Sequence, residues 1–467
     1  MQAYLDILNR AVTDYSRGER PVVQAPAASE LQQLLDLSLQ QDGADIETLE
    51  QAVRDYLHYN PDSAQADYFK LLYSGRNEAA LLGDWITSLS NATMHTYQVG
   101  PVATLMELEL IKNWNSLVGF TEGDGLMVSG GSQANLIGMM LARHKACPEF
   151  KTRGADGRRL IAYVSDQAHY SAQKAVNVLG IGSDNLVAVA TDDDGRLCPQ
   201  ALEAAIEESL AAGHQPFYIS LTAGTTVVGA FDPVAECRAV ADKYDLWLHI
   251  DGAWGAPVLF SEQSRHLLAG SGLADSFAWD AHKLMNVPIT AAVILVKQAG
   301  LLKECFSGGG GEYLFHADEN AAFNLGERSM QCGRRADSLK VWLSWKALGY
   351  KGFAAKIDHL QGLKARCVEQ VKQTDCLEMI APAEYLNVVF RFTPEGVEDE
   401  QDLRRLNIAI TKTMMRNGGA YVDYAQYKGR SGIRLILAND AAQSQNIERF
   451  LETCITTGEQ LVASGEY

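Results

Sequence analysis

No stretch of this 467-residue chain stays apolar for long. The most hydrophobic run, ITAAVILV at 289–296, holds eight uncharged residues before Lys297. That is far short of the ~20 a membrane-spanning helix needs. Basic residues are also in deficit: 40 Lys and Arg stand against 58 Asp and Glu, a net charge of −18. A nucleic-acid binder carries a basic footprint, so a small molecule or another protein is left as partner. The eight cysteines, at 147, 198, 237, 305, 332, 367, 376 and 454, include no Cys-x-x-Cys pair. In a chain of this size such scatter predicts reduced thiols, with neither a disulfide framework nor a zinc site, and no metal is expected. The opening stretch MQAYLDILNRAVTDYSRGER carries acidic residues early and lacks the unbroken apolar core of a secretory signal. The expected compartment is the cytoplasm.

What is present is the composition of a globular protein, 47% hydrophobic and 21% charged, long enough for two or three domains. Residues 1–65 repeat their apolar positions at three- and four-residue steps, as in YLDILNRAV and LQQLLDLSLQQ, and Pro21, Pro26 and Gly43 divide them into short helices. These helices expose more apolar face than they can bury alone, which predicts packing on another domain or on a second subunit. From 66 to 345, short β-branched runs alternate with helical ones. LIAYVSD (160–166), NLVAVAT (185–191), PFYISLTAG (216–224), LWLHIDGA (246–253), DSFAWD (275–280) and ITAAVILV (289–296) read as strands, with helices such as QALEAAIEESLAAG between them. Strands of this kind predict an α/β domain with a mostly parallel central sheet, whose ligand lies at the carboxyl ends of the strands. Residues 346–467, with YLNVVFRFTP and SGIRLILAN flanking a helix, read as a small α+β domain.

Several residues at those strand ends can carry chemistry. Asp251 closes LWLHID, where a buried carboxylate must be paired or hydrogen-bonded; taken alone it reads equally well as a cap. VSGGSQANLIGMMLARHKA (128–146) is a Gly-Gly turn opening a helix near Ser132, and free N–H groups with the helix dipole favour phosphate there. His169 in SDQAHYSAQKA follows a strand and fits either a structural contact or a ring stack. Lys283, in DSFAWDAHKLMNVP, stands after a strand and beside His282. A surface turn is the default for such a lysine, yet a partly buried one can form a Schiff base. Schiff-base lysine, aspartate for a pyridinium nitrogen, phosphate cradle and stacking histidine together describe a pyridoxal 5'-phosphate site.

The stretches GDWITSLSNATMHTYQVGPV, TAGTTVVGAFDP, HIDGAWG, ADSFAWDAHKLMNVP and QCGRRADSLKVWLSWKALGYKGF resemble the group II pyridoxal phosphate-dependent amino-acid decarboxylases. The similarity runs from about residue 55 to the C-terminus and points to the glutamate and cysteine sulfinate branch. The resemblance implies the aspartate aminotransferase-like fold (fold type I) and decarboxylation of an L-amino acid to its amine and carbon dioxide. It further implies that Lys283 holds the cofactor as an internal aldimine, that Asp251 keeps the ring nitrogen protonated and that His169 stacks on the ring. Ser132, Gln133, Ser276 and His282 would bind phosphate, Thr222 and Ala253 would line the ring, and Arg434 would take the substrate α-carboxylate. A homodimer is implied, with the active sites at the interface and the loop 308–323 reaching the neighbouring site.

Four positions depart from the family pattern. Phe323 stands where that branch has a loop tyrosine that returns the proton, which opens oxidative deamination to an aldehyde as an alternative outcome, or His316 or water as donor. Leu71, in YFKLLYSG, replaces a glutamine that helps define the pocket for an acidic side chain; Tyr97 and the loop would then shape specificity, with diaminobutyrate, aspartate, cysteine sulfinate and aromatic acids all open. Asp280 and Ala281 replace Asn-Pro, and Asp280 is expected to turn away from the phosphate or to offer only its backbone N–H. A non-catalytic protein on the same fold is the third reading, disfavoured by the intact Lys283, Asp251, His169 and Arg434.

Overall fold

The computed structural model describes every residue except 18, 19, 25, 309, 310, 312 and 317. Four of these fall in the loop 308–323, so that part of the loop's expected reach lies outside the described residues. The chain forms two compact units. One comprises Met1–Gly75, Leu363–Ala381 and Val388–Tyr467, the other Arg76–Gly362 with Pro382–Asn387. The amino-terminal segment thus groups with the carboxy-terminal part, and the helix Ser338–Gln373 runs through position 345.

The larger unit is built on seven strands: β1 (Asp124–Val128), β2 (Leu160–Ser165), β3 (Leu186–Val189), β4 (Gln215–Thr222), β5 (Trp247–Asp251), β6 (Ser276–Asp280) and β7 (Ala292–Val296), in the order β1-β7-β6-β5-β4-β2-β3. β3, β2, β4, β5 and β6 run parallel, while β7 is antiparallel to both β6 and β1. This is the mostly parallel α/β sheet of fold type I. The strands are buried on both faces: every residue of β1, β2, β5, β6 and β7 is buried, which is why they read as continuous apolar runs without alternation. β1, in DGLMV, is a strand that the sequence pattern did not single out, because Asp124 and Gly125 open it. The helix Gly131–Ala146 lies against the sheet through Ala134, Ile137, Met139 and Leu141, all within the main core cluster.

The smaller unit carries a four-stranded sheet of β8 (Leu377–Met379), β9 (Asn387–Phe392), β10 (Asp423–Tyr427) and β11 (Arg430–Ile436), ordered β10-β11-β9-β8. The helices Glu400–Arg416 and Ser444–Ser464 belong to it, the first capped by Asp399, whose carboxylate accepts from the N–H groups of Gln401 and Asp402. Its amino-terminal part is helical at Gln2–Ser16, Ala28–Leu34 and Ile46–Tyr59, with Pro21, Pro26 and Gly43 in the breaks. Among the described residues, no helix is long and apolar enough to cross a membrane.

Candidate active site

The carboxyl ends of β1, β2, β4, β5 and β6 share one edge of the large sheet, because β1 and β6 both run against β7. Pairing aligns the residues there: Thr222 faces Asp251, Asp251 faces Ala278, and Ala292 lies between Val128 and Asp280. This is the edge at which open α/β sheets hold ligands.

Asp251 ends β5 and is buried. His249 precedes it by two positions, so both side chains leave the same face of the sheet. The helix Gly131–Ala146 covers that face, and its Asn135 meets both: Nδ2 donates to Asp251 Oδ2 at 2.7 Å and to Ser171 Oγ at 3.0 Å, while Oδ1 lies 3.0 Å from His249 Nε2. The other Asp251 oxygen accepts the Ala253 N–H at 3.1 Å. Behind them, Ser276 Oγ lies 2.8 Å from His249 Nδ1 and accepts the Trp247 indole N–H at 2.8 Å. An ionised carboxylate can only accept, so the polarity of the chain follows from the Asp251 end. Ser276 gives its proton to His249 Nδ1, the imidazole donates from Nε2 to the Asn135 oxygen, and the Asn135 amide nitrogen is turned to Asp251. Burial pushes the His249 imidazole down to about 4 against the opposing pull of Asp251, leaving it neutral, as this chain of donors requires. The helix comes this close only at a glycine: a Cβ on Gly138 would stand 2.7 Å from His249 Nδ1.

His169 sits between β2 and the helix Ser171–Val178, half-buried, with Nδ1 accepting the Ser171 N–H at 3.2 Å. Burial lowers its pKa, Asp251 opposes that, and Lys283 reinforces it. His169, Asn135, Ser171, Ala172, Thr222 and Asp251 line one cleft. Thr222 is fixed at the end of β4 by its N–H donated to Asp232 Oδ2 at 2.7 Å. Asp232 also accepts the Leu197 N–H at 2.7 Å, and burial pushes its carboxyl up to about 7.

At the start of the helix Gly131–Ala146, Ser132 is exposed, while the Gln133 side-chain oxygen accepts from Ser129 N at 2.7 Å and Ser129 Oγ at 2.8 Å. Lys283 follows β6 in a turn closed by its N–H to Asp280 O at 3.2 Å, and His282 Nδ1 lies 2.9 Å from Ala291 O. Asp280 does not turn away as expected. Its carboxylate is buried, with Oδ2 3.4 Å from Lys283 Nζ and 3.6 Å from His282 Nε2. Ser276, expected among the phosphate ligands, lies at the opposite, amino end of β6, about 13 Å along the strand from Asp280. Its hydroxyl is committed to His249 and Trp247.

Tyr97 and Phe323 stand together: their ring centroids are 5.4 Å apart, and the Tyr97 N–H donates to Asn324 Oδ1 at 3.0 Å. His316 is exposed. Arg434 and Leu71 belong to the smaller unit. There Arg434 lies opposite Asp423 in the sheet and donates from Nη2 to Lys70 O at 2.8 Å, and burial lowers its pKa. Leu71 packs against the buried cluster of Val22, Val23 and Tyr68.

The groups in the larger unit fit pyridoxal phosphate on their own chemistry. A buried carboxylate holding two neutral N–H donors keeps lone pairs for a cationic ring N–H, a neutral imidazole stands at the same cleft, and an amine follows the adjacent strand. Asn135 and His249 were not singled out from the sequence. His249 had a signal in its two-residue spacing from Asp251; Asn135 had none, being 116 residues from its partner.

Residues 28–393 match the family described as the pyridoxal-dependent decarboxylase conserved domain. The human acidic amino acid decarboxylase GADL1 is 34% identical over 444 residues, 92% of this chain and 85% of that protein. The rat cysteine sulfinic acid decarboxylase is 35% identical over 467 residues, 97% of this chain and 94% of that protein. The crystal structure of mouse CSAD superposes with a TM-score of 0.94 at 34% identity, covering 98% of each chain.

Proposed function

The chain belongs to the pyridoxal-dependent decarboxylase family and is an amino-acid decarboxylase that works with pyridoxal phosphate, and we propose that its substrate is a short acidic L-amino acid. The observation that carries this reading is the charge arrangement around β10 and β11. Lys70 Nζ lies 3.7 Å from Asp423 Oδ2, and Arg434, whose pKa Asp423 raises against the larger effect of burial, donates to the Lys70 carbonyl. Lys70 and Arg434 bring two cationic groups to the neighbourhood of Asp423, which supports recognition of an anion. In this assignment Arg434 takes the α-carboxylate and Lys70 the acid of the side chain. The further specificity assignments are Leu71, as an apolar surface, in the smaller unit, and Tyr97 with Phe323 in the larger. The relatives named for acidic amino acids and for cysteine sulfinic acid agree with it.

The cofactor supplies a conjugated ring that accepts the electron pair left when carbon dioxide departs. The chain's own residues orient and polarise it. Asp251, aimed by Asn135, would face the ring nitrogen and keep it protonated; a fixed carboxylate in a dry site acts there without reorganisation. His169 would stack on the ring, and Thr222 and Ala253 would line its edge and other face. Ser132, Gln133 and His282 would hold the phosphate at the helix start. Lys283 would hold the cofactor through its amine. Decarboxylation to the amine is favoured over the aldehyde-forming and non-catalytic readings by the family and the relatives alike.

The working form in this reading is a cytoplasmic homodimer in which the amino-terminal segment meets a second copy. Exposed Tyr4, Leu5, Leu8, Leu34, Leu37 and Leu39 of the amino-terminal segment supply the apolar surface. A solution mass near the 51.0 kDa of one chain would overturn that. For the substrate, the test is carbon dioxide release from a panel of L-amino acids with the product identified. Release from aspartate or cysteine sulfinate, with stoichiometric amine, is expected. Turnover confined to diaminobutyrate or to aromatic acids would overturn the assignment.

A further inference from the structure

We propose that Asp280 is the positioning residue for Lys283 before the cofactor arrives, so that loading the enzyme requires an ion pair to be given up. The inference rests on the reading of Lys283 as the cofactor lysine.

The pairing β1-β7-β6 sets Asp280 in the same row as Val128, three residues before Gly131. The carboxylate consequently lies against the Gly-Gly turn: a Cβ on Gly131 would stand 2.7 Å from Asp280 Oδ2 and 3.0 Å from Oδ1. Glycine at 131 is what admits it. Only 2% of Asp280 is exposed, and Oδ1 has no hydrogen-bond donor among the described residues. A carboxylate this buried depends on a cation. Lys283 Nζ at 3.4 Å is that cation, with His282 Nε2 at 3.6 Å beside it. From the neighbouring elements, Asp251 on β5 and His169 before the helix Ser171–Val178 face the same cleft, and the charges of Asp251, Lys283 and Asp280 all reach His169. The helix Gly131–Ala146 brings no charged side chain to the contact, and its start adds only the partial positive charge of the helix dipole.

Capture of an aldehyde by Lys283 needs the neutral amine. The ammonium loses a proton to solvent, its lone pair forms the carbon–nitrogen bond, and the carbonyl oxygen leaves as water. Asp280 opposes the first of these events by pairing with the ammonium and holds Nζ at the strand end until it occurs. The same carboxylate stands at the helix start where the phosphate is expected to bind, so a charge effect on the amine must be separated from one on the phosphate.

The test mixes apo enzyme with pyridoxal phosphate and, separately, with pyridoxal, which lacks the phosphate, and follows the absorbance of capture against pH. For Asp280→Asn, capture of both aldehydes is expected to be about tenfold faster near neutral pH than in the wild type, the size of effect one close opposite charge exerts. The advantage should shrink as the pH rises. Thermal unfolding verifies that the variant is folded, and Asp280→Ser serves in its place if it is not. Equal rates in wild type and variant across the pH range would overturn the proposal, as would a change seen with pyridoxal phosphate alone. If Lys283→Ala captures both aldehydes as the wild type does, it is the reading of Lys283 that fails.

Discussion

Asn135 holds Asp251 through an N–H···O bond of 2.7 Å, and the same amide closes a chain back through His249 and Ser276 to Trp247. The carboxylate is held by a side chain that is itself held by the buried His249. Replacing Asn135 with alanine removes the donor and leaves Asp251 one bond short in a buried place. A hydrogen bond to a charged group contributes about 1.5–3 kcal/mol, so Asn135→Ala is expected to weaken cofactor binding by ~10- to 100-fold. Titration of the apo variant with pyridoxal phosphate measures it; an unchanged affinity would mean that Asp251 is held by the Ala253 N–H alone.

Gly138 tests the same chain from the helix side. In an exposed helix, Gly→Ala gains up to about 1 kcal/mol. Here the added methyl would meet His249 Nδ1 at 2.7 Å, and overpacking of this kind costs about 1–3 kcal/mol. The sign of the change is therefore diagnostic: Gly138→Ala is expected to lower the apparent unfolding midpoint, and a rise would show that the helix can shift away.

The contrast between what the pattern revealed and what it hid follows from the range of the contacts. Strands β2, β4, β5 and β6 were legible because double burial makes them continuous apolar runs, and Asp251, His169 and Lys283 were legible as polar residues placed just where such runs end. Asp280 looked like a residue to be kept from the site, and the structure turns it inward, since the β1-β7-β6 pairing brings it under Gly131 and gives it Lys283 as partner. Ser276 was misplaced because the motif was followed in preference to the strand order: it is the second residue of DSFAWD and so stands at the amino end of β6. Asn135 needed the packing of a helix onto a strand 116 residues away, which no local period encodes.

Two buried groups give the enzyme opposite responses to acid. His249 titrates near 4 when folded instead of its ordinary 6.5. Between those values the unfolded chain holds the proton and the folded chain does not, so this stabilisation is lost as the pH falls through that window. Asp232 titrates near 7 when folded against an ordinary 3.8. There the folded chain holds the proton, so its contribution grows as the pH falls over the same range. Each slope is about 1.4 kcal/mol per pH unit, and they nearly cancel. Apparent unfolding midpoints of Asp232→Asn should drop with acid more steeply than those of the wild type, and those of His249→Gln less steeply; parallel profiles for all three would sink the account.

Glu107 and Arg334 form a buried ion pair that clasps β1. Nη1 of Arg334 lies 2.8 Å from Glu107 Oε2 and donates to Met127 O at 3.1 Å, and Glu107 Oε1 accepts the Met127 N–H at 2.9 Å. Removing one partner strands a charge in the interior, a loss of about 3–5 kcal/mol. Glu107→Gln and Arg334→Met are each expected to unfold at lower denaturant than the wild type. The double variant should recover part of that loss, because neither charge is then left unpaired; strictly additive losses in the double variant would show that the two groups act independently.

Lys70 decides between acidic and other substrates if the assignment of the smaller unit is right. Methionine keeps the stem that packs near Tyr421, whose ring centroid lies 5.0 Å from Lys70 Nζ, and removes the charge alone. With Arg434 and its bond to the Lys70 carbonyl untouched, the α-carboxylate should still be taken. Lys70→Met is accordingly expected to raise KM for an acidic substrate by ~10- to 100-fold, the range for truncating one side of a charged contact. The kcat should change less, and the absorbance of the bound cofactor should not change. A loss confined to kcat would place Lys70 in the chemistry instead of in recognition, and an unchanged KM would remove it from the pocket.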